Sequence, residues 1–200
     1  MDGLPDKVDL LLDSSGTIVA AIIVRLTREL AQRQIDGQWW KLPGVSKVVR
    51  KEENDYHWRW AKEIGELRKK RWHEAFAVQT EDGCVQGAII YRLDCKSFID
   101  DQFGTVNVRA LATAPRNRPW LVEAPLYRGV GESLLLRAVG HSYLLGLNGR
   151  VSLVAFGDKR TLDFYRHRGF TDAGDEDGLP RLELLPEAAQ TWLREEGYEL

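Results

Sequence analysis

The stretch Tyr127-Arg128-Gly129-Val130-Gly131-Glu132-Ser133-Leu134-Leu135-Leu136 holds two glycines one residue apart, followed at once by an apolar helical pattern. Glycine lets the backbone approach an anion closely. The free amides of a helix start point at that anion with the positive end of the helix dipole. These residues suit a phosphate cradle. A plain turn before a helix would use the same glycines, so the flanking chain decides between the two. An apolar strand pattern ending at Pro115 precedes the loop, and Asp163-Phe164-Tyr165-Arg166-His167-Arg168-Gly169-Phe170 follows it.

Groups that could move a proton are sparse. The strand patterns Thr105 to Ala114 and Val151 to Phe156 contain no Asp or Glu. That leaves Glu123 as the best-placed carboxylate for a general base, against the competing expectation of a solvated loop charge. A water chain could replace a dedicated base. His141 sits in the apolar stretch of a helix and is expected to be structural. His167 lies between Arg166 and Arg168, which disfavour its protonated form, and is expected at the surface. Trp39, Trp40, Trp58, Trp60 and Trp72 crowd the N-terminal third. Core packing is the default for them, with at least one lining an acceptor site. Trp58 and Trp60, two apart on one expected helix, should face different ways. The clusters Lys69-Lys70-Arg71 and Arg116-Asn117-Arg118 serve solubility or meet an anionic group.

Composition bounds the class. The chain has 200 residues, 44% apolar and 29% charged, with a formal net charge of -2. This predicts one folded domain rather than a disordered chain or a general nucleic-acid binder. Two cysteines, Cys84 and Cys95, flank one strand pattern. They suit a reducing compartment, and the N-terminus lacks the pattern of a signal peptide, so a cytoplasmic location is expected. No Cys/His spacing suggests a metal site. The longest apolar run, Ile18 to Val24, is too short to span a bilayer.

The elements that must position these groups follow from periodicity. Val8 to Leu12 suits a short strand, and Asp13-Ser14-Ser15-Gly16 a turn or helix cap. Ile18, Ile22, Ile23, Leu26 and Leu30 recur at helical spacing, which predicts an amphipathic helix. A hairpin over Val8 to Val24 is the rival, because the stretch opens β-branched. Glu52 to Lys70 reads as a helix. Glu74 to Thr80 and Val85 to Leu93 read as a hairpin turning at Asp82-Gly83. Thr105 to Ala114 is a third strand, and Arg116 to Leu126 a proline-bounded loop. Helix Glu132 to Leu147, strand Val151 to Phe156, helix Lys159 to Arg168, strand Pro180 to Leu185 and helix Pro186 to Glu195 complete the chain. An α/β domain with a mixed sheet results.

From roughly Glu74 to Phe170 the chain resembles the GCN5-related N-acetyltransferase superfamily. Leu111-Ala112-Thr113-Ala114-Pro115 resembles the end of the family's fourth strand, Leu-x-Val-x-Pro. Gly129-Val130-Gly131 resembles its pyrophosphate loop, Arg/Gln-x-x-Gly-x-Gly/Ala. The run from Asp158 through Phe164, Tyr165, Gly169 and Phe170 resembles its Asn-x-x-Ala-x-x-Phe-Tyr-x-x-x-Gly-Phe helix. The resemblance implies a mixed, mostly antiparallel central sheet flanked by helices. It also implies one acyltransferase domain over 1–200. Within it, 1–72 would be a helical acceptor side, 73–170 the acyl-CoA core, and 171–200 a final strand and helix.

The implied roles carry over by residue. The backbone of Leu111, Ala112 and Thr113 would pair with the pantetheine arm of acyl-CoA like an added strand. The amides of Arg128, Gly129, Val130, Gly131, Glu132 and Ser133 would bind the pyrophosphate. Asp158 holds a cofactor-contacting position, and Tyr165 would protonate the departing thiolate. Acetyl-CoA is then the expected acyl donor, and a primary amine on a small molecule or protein the acceptor. No metal, membrane or nucleic acid is required, and a homodimer is permitted. A toxin-like enzyme acylating charged tRNA would need a broad basic surface, which the balanced charge does not supply.

Four departures stand out. Leu126 replaces the loop's first Arg or Gln. Asp158 replaces Asn, and Thr161 replaces Ala. Arg116 to Leu126 is an insertion, and a long ordered insertion beside a site is more often functional than idle. The missing base, Leu126 and Asp158 keep open a non-catalytic acyl-CoA-binding or partner-binding module.

Overall fold

β-Branched residues, not helical spacing, decide the first element pair. Thr17–Arg25 is a strand, β2, paired antiparallel with β1 (Lys7–Leu12), with Lys7 opposite Ile22 and Leu10 opposite Val19. The amphipathic helix expected from Ile18 to Leu30 does not form, and the hairpin reading holds. Ala21 and Ile23 are buried while Ile18 and Ile22 are exposed, a period of two. Thr17, Ile18, Val19, Ile22, Ile23 and Val24 carry branched side chains that fit a pleated surface better than a helix.

This computed structural model describes residues 7–12, 15–67 and 70–198. The expected Asp13-Ser14-Ser15-Gly16 turn and the Lys69-Lys70-Arg71 cluster therefore fall partly outside the described residues. The chain forms two compact units. One holds the described residues up to Ile90 together with Ala110–Leu134; the other holds Tyr91–Arg109 and the chain from Leu135 onward.

In the first unit the strand order is β6-β1-β2-β3-β4-β5, where β3 is His73–Thr80, β4 Val85–Lys96, β5 Gly104–Thr113 and β6 Tyr127–Arg128. Helix α1 (Arg28–Leu30), capped by Thr27, runs into a π-helical turn, Ala31–Asp36. Helices α2 (Lys47–Lys51) and α3 (Trp60–Leu67) follow. Leu26, Ile35, Trp39, Trp60 and Ile64 pack on Ala75, Ala77, Ala88, Ile90 and Ala112 to form the core. The single helix expected over Glu52 to Lys70 is not continuous. The Asp36 carboxylate caps α3 by accepting from the amides of Trp60 and Ala61 at 2.9 and 3.0 Å, so α3 starts at Trp60.

The second unit holds the later part of β4 and the earlier part of β5, in the order β4-β5-β7-β9-β8. Strand β7 (Val151–Val154) pairs parallel with β5, Val106 opposite Val151 and Val108 opposite Leu153. β8 (Phe170–Glu176) and β9 (Leu179–Leu184) are antiparallel to each other, and β9 to β7. The sequence pattern misses β8 altogether. Only Phe170 of that strand is buried, so it carries no apolar alternation; the turn at Asp177-Gly178, both with positive φ, is its one local signal. Helix α4 (Val130–Leu144) starts in the first unit, and α5 (Lys159–Arg166) and α6 (Pro186–Glu195) lie in the second. Pro186 sits in the first turn of α6 as expected.

Glu183 is fully buried and ties the turn after β4 to β9. Its carboxylate accepts from Ser97 Oγ, the Phe98 amide and Arg150 Nη1 at 2.6, 2.7 and 2.9 Å. The architecture is the expected mixed α/β sheet, with β5–β7 parallel and the pairs β1–β2, β2–β3, β7–β9 and β8–β9 antiparallel. Among the described residues, no helix is long and apolar enough to cross a membrane. No cluster of three His, Cys, Asp or Glu among them could hold a metal ion.

Candidate active site

The glycine loop closes as its residues demand. Tyr127 and Arg128 pair with Leu12 and Leu11. Gly129 then turns the chain at φ 85°, a conformation that costs any other residue a steric penalty. α4 begins at the next residue. The Ser133 amide and hydroxyl both donate to the Gly129 carbonyl, at 2.9 and 3.0 Å. The amides of Val130, Gly131 and Glu132 therefore precede the first intrahelical bond and lie at the positive end of a helix of 15 residues. Val130, Gly131 and Ser133 are buried, Gly129 and Glu132 half-buried, and Arg128 exposed.

The end of β5 lies in the same unit. Its parallel ladder with β7 covers Val106 to Val108, and Leu111, Ala112 and Thr113 lie beyond that ladder. The Ala114 amide donates to the Gln86 carbonyl of β4 at 2.7 Å. Backbone groups alternate along a strand, so the N–H and C=O of Leu111 and Thr113 point away from β4, and those of Ala112 point toward it. The Ala112 carbonyl accordingly sits beside Gly87 of β4: a Cβ on Gly87 would lie 3.2 Å from Ala112 O and 2.4 Å from Val130 Cγ1. The strand end and the helix start thus abut the same glycine.

The insertion is ordered by a buried arginine. Arg118 is 5% exposed. Its Nε and Nη2 donate to the Thr113 carbonyl at 3.1 and 2.7 Å. Its Nη1 donates to Asp55 Oδ1 and Glu53 Oε2 at 2.8 and 2.7 Å, and the guanidinium lies over the Trp40 ring. Burial opposes this charge, but the bonds to Asp55 and Glu53 outweigh it and raise the pKa above the ordinary arginine value. Glu53 Oε1 also accepts from Trp120 Nε1 at 2.9 Å, while the Trp120 side chain stays exposed. Arg116 and Asn117 donate to Gln86 and Val85 at the start of β4. Arg116-Asn117-Arg118, expected to serve solubility or meet an anionic group, points inward. It is instead an internal anchor, and its one legible signal is an Arg-Asn-Arg triplet set between Pro115 and Pro119.

Glu123 is exposed on the insertion. Asp158 and Tyr165 belong to the second unit. Asp158 is the N-cap of α5, accepting from the amide and hydroxyl of Thr161 at 3.1 and 2.7 Å. The two departures Asp158 and Thr161 are therefore one matched pair. Tyr165 is buried, its ring edge-on to Phe164 and Phe170 at 5.1 and 5.4 Å, and burial pushes its pKa far above the tyrosine range.

Trp58 and Trp60 also meet, at 5.7 Å between ring centroids, because Trp58 precedes α3 rather than lying on it. Trp39 and Trp60 are core residues, and Trp72 is exposed. His141 Nδ1 and the buried Tyr91 hydroxyl are 2.9 Å apart, the structural role expected of it, and His167 is exposed. Cys84 and Cys95 are free thiols.

By sequence, no protein-family model and no curated protein matches the chain. Solved structures match its fold. A spermidine N-acetyltransferase SpeG chimera from Vibrio cholerae and hSSAT gives a TM-score of 0.56 at 16% identity, covering 85% of this chain and 98% of that one. Apo FdhC, a nucleotide-linked sugar GNAT, gives 0.56 at 10% identity over 97% of this chain and 98% of that one. KacTA, solved with DNA, gives 0.53 at 13% identity over 88% and 99%. The chain has the fold of the GCN5-related N-acetyltransferases, as the resemblance implied.

Proposed function

We propose that this chain is an acetyl-CoA-dependent N-acyltransferase that passes an acetyl group directly to a primary amine of a small molecule or protein. The observation that carries the reading is the loop–helix junction at Gly129, with three first-turn amides ahead of the first helical bond. Gly87 joins it to the unladdered end of β5. The fold likeness to N-acetyltransferases agrees with it. The residues fit an acyl-CoA: a helix start suits its pyrophosphate, and a free strand edge suits the amides of its pantetheine arm.

The bound thioester supplies the activated acyl group; the chain orients it and handles protons. The first-turn amides of Val130, Gly131 and Glu132, with the turn at Arg128 and Gly129, hold the diphosphate, whereas the amide and hydroxyl of Ser133 are taken by the Gly129 carbonyl and brace the turn. Leu111 contributes N–H and C=O to the arm, and Thr113 its N–H, since Arg118 takes the Thr113 carbonyl. Ala112 contributes its small side chain. Tyr165, kept protonated by burial, gives its proton to the departing sulfur. Glu123 accepts the amine proton directly or through water. Asp158 keeps its carboxylate on Thr161, and so limits its repulsion of the anionic donor. The Arg118 anchor holds Trp120 beside Glu53, where the insertion forms part of an acceptor wall. Two free thiols suit a cytoplasmic setting.

A panel of primary amines with acetyl-CoA, read by thiol release, tests the reading. Amine-dependent release is expected, and binding without release for every amine would leave the second reading. That reading is a non-catalytic acyl-CoA-binding module, and the exposure of Glu123 favours it.

A further inference from the structure

Gly87 is buried in β4, and its φ is not left-handed, so its backbone does not demand glycine. Its surroundings do. An added Cβ would lie 2.4 Å from Val130 Cγ1, 3.0 Å from Leu134 Cδ1 and 3.2 Å from Ala112 O. Ordinary contact begins at 3.4 Å, so Val130 would have to retreat by about 1 Å. Val130 is 2% exposed and Leu134 0%, and a valine in a helix has one strongly preferred rotamer, so the first turn of α4 must move as a body. Ala112 O is backbone and cannot swing aside. Two of the three contacts belong to the helix that carries the cradle, and the third belongs to the strand that carries the free edge.

We propose that Gly87 is a positioning residue for the acyl donor: its missing side chain sets the gap between the first turn of α4 and the end of β5. Both groups of backbone donors then face one ligand at a fixed spacing. The proposal rests on the acyl-CoA reading above and extends it to a residue that acts through the packing of Val130, Leu134 and Ala112 around it. In a preorganised site a misplacement of about 1 Å costs up to about a hundredfold in rate.

Isothermal titration of acetyl-CoA into wild type, Gly87→Ala and Gly87→Ala/Val130→Ala tests this. Gly87→Ala should weaken Kd at least about tenfold with stoichiometry unchanged, and the double variant should recover most of that loss, because Val130→Ala removes the clashing methyl. A merely structural role would lower the stoichiometry, the fraction of competent protein, and leave Kd alone. A Gly87→Ala Kd within about twofold of wild type, a fall in stoichiometry alone, or a double variant no better than the single overturns the proposal. So does failure of both variants to fold, since relief at Val130 would then not govern. Wild type that binds no acetyl-CoA removes the acyl-donor reading and this proposal with it; wild-type binding with an unaffected Gly87→Ala removes the proposal alone.

Discussion

Tyr165 and Arg118 are both buried, yet burial serves them differently. For Tyr165 desolvation is the single cause of a raised pKa, so the phenol stays neutral at every pH at which the protein would work. As the proposed acid, Tyr165 must be protonated to act, and a raised pKa extends that range upward. The rate should therefore rise with pH as the acceptor amine loses its proton, with no alkaline fall through the ordinary tyrosine range near about 10. A pH–rate profile checks this, and a descending limb near that pH would contradict it. Tyr165→Phe should lower turnover about a hundredfold and leave the acetyl-CoA Kd unchanged, measured by thiol release and titration. Arg118 is instead paired, and its charge holds the buried Asp55 carboxylate and the half-buried Glu53. Arg118→Met would remove the cation from the buried Asp55 carboxylate, at a cost of about 3–5 kcal/mol in urea unfolding. An unchanged midpoint would show that the anchor carries no stability. The Phe164-Tyr165 signature was legible because its spacing is local. The Arg118 partners were not, since they lie 63 and 65 positions away in sequence.

Element boundaries depended on what each pattern is packed against. The hairpin of β3 and β4 was legible from its Asp82-Gly83 turn and its long apolar run. β2 was ambiguous because Ile18, Ile22, Ile23 and Leu26 satisfy helical spacing, and only pairing with β1 and β3 resolves the two periods. α3 is shorter than its pattern because Asp36 caps it from 24 residues upstream. Caps are testable one at a time. Asp158→Ala should cost about 1 kcal/mol of stability through loss of the α5 cap. Differential unfolding of the variant reads this, and no loss would mean the Thr161 bonds are idle. Gly129→Ala meets only Asp9 O at 4.0 Å. Its cost is therefore conformational, about 1–2 kcal/mol for a left-handed residue. This contrasts with Gly87, where the cost is steric.

At the scale of the whole chain, sequence motifs and fold agree while overall identity says little. Identities of 10–16% to structures of the same fold explain why no family matches by sequence. Most positions that define the fold ask only for apolar side chains of suitable size. The loop, strand end and Phe-Tyr helix survive as legible signals because each needs a particular backbone or side chain. The N-terminal third carries no such constraint, and its tryptophans and carboxylates became interpretable only through their contacts.

On the proposed function, the α4 start binds the diphosphate of an acyl-CoA. Parallel calorimetric titrations with acetyl-CoA and with acetyl-pantetheine, which lacks the diphosphate, test it most directly. Micromolar binding of acetyl-CoA, with acetyl-pantetheine weaker by about a hundredfold or more, is the predicted result. Equal affinities, or no binding of acetyl-CoA, would contradict it.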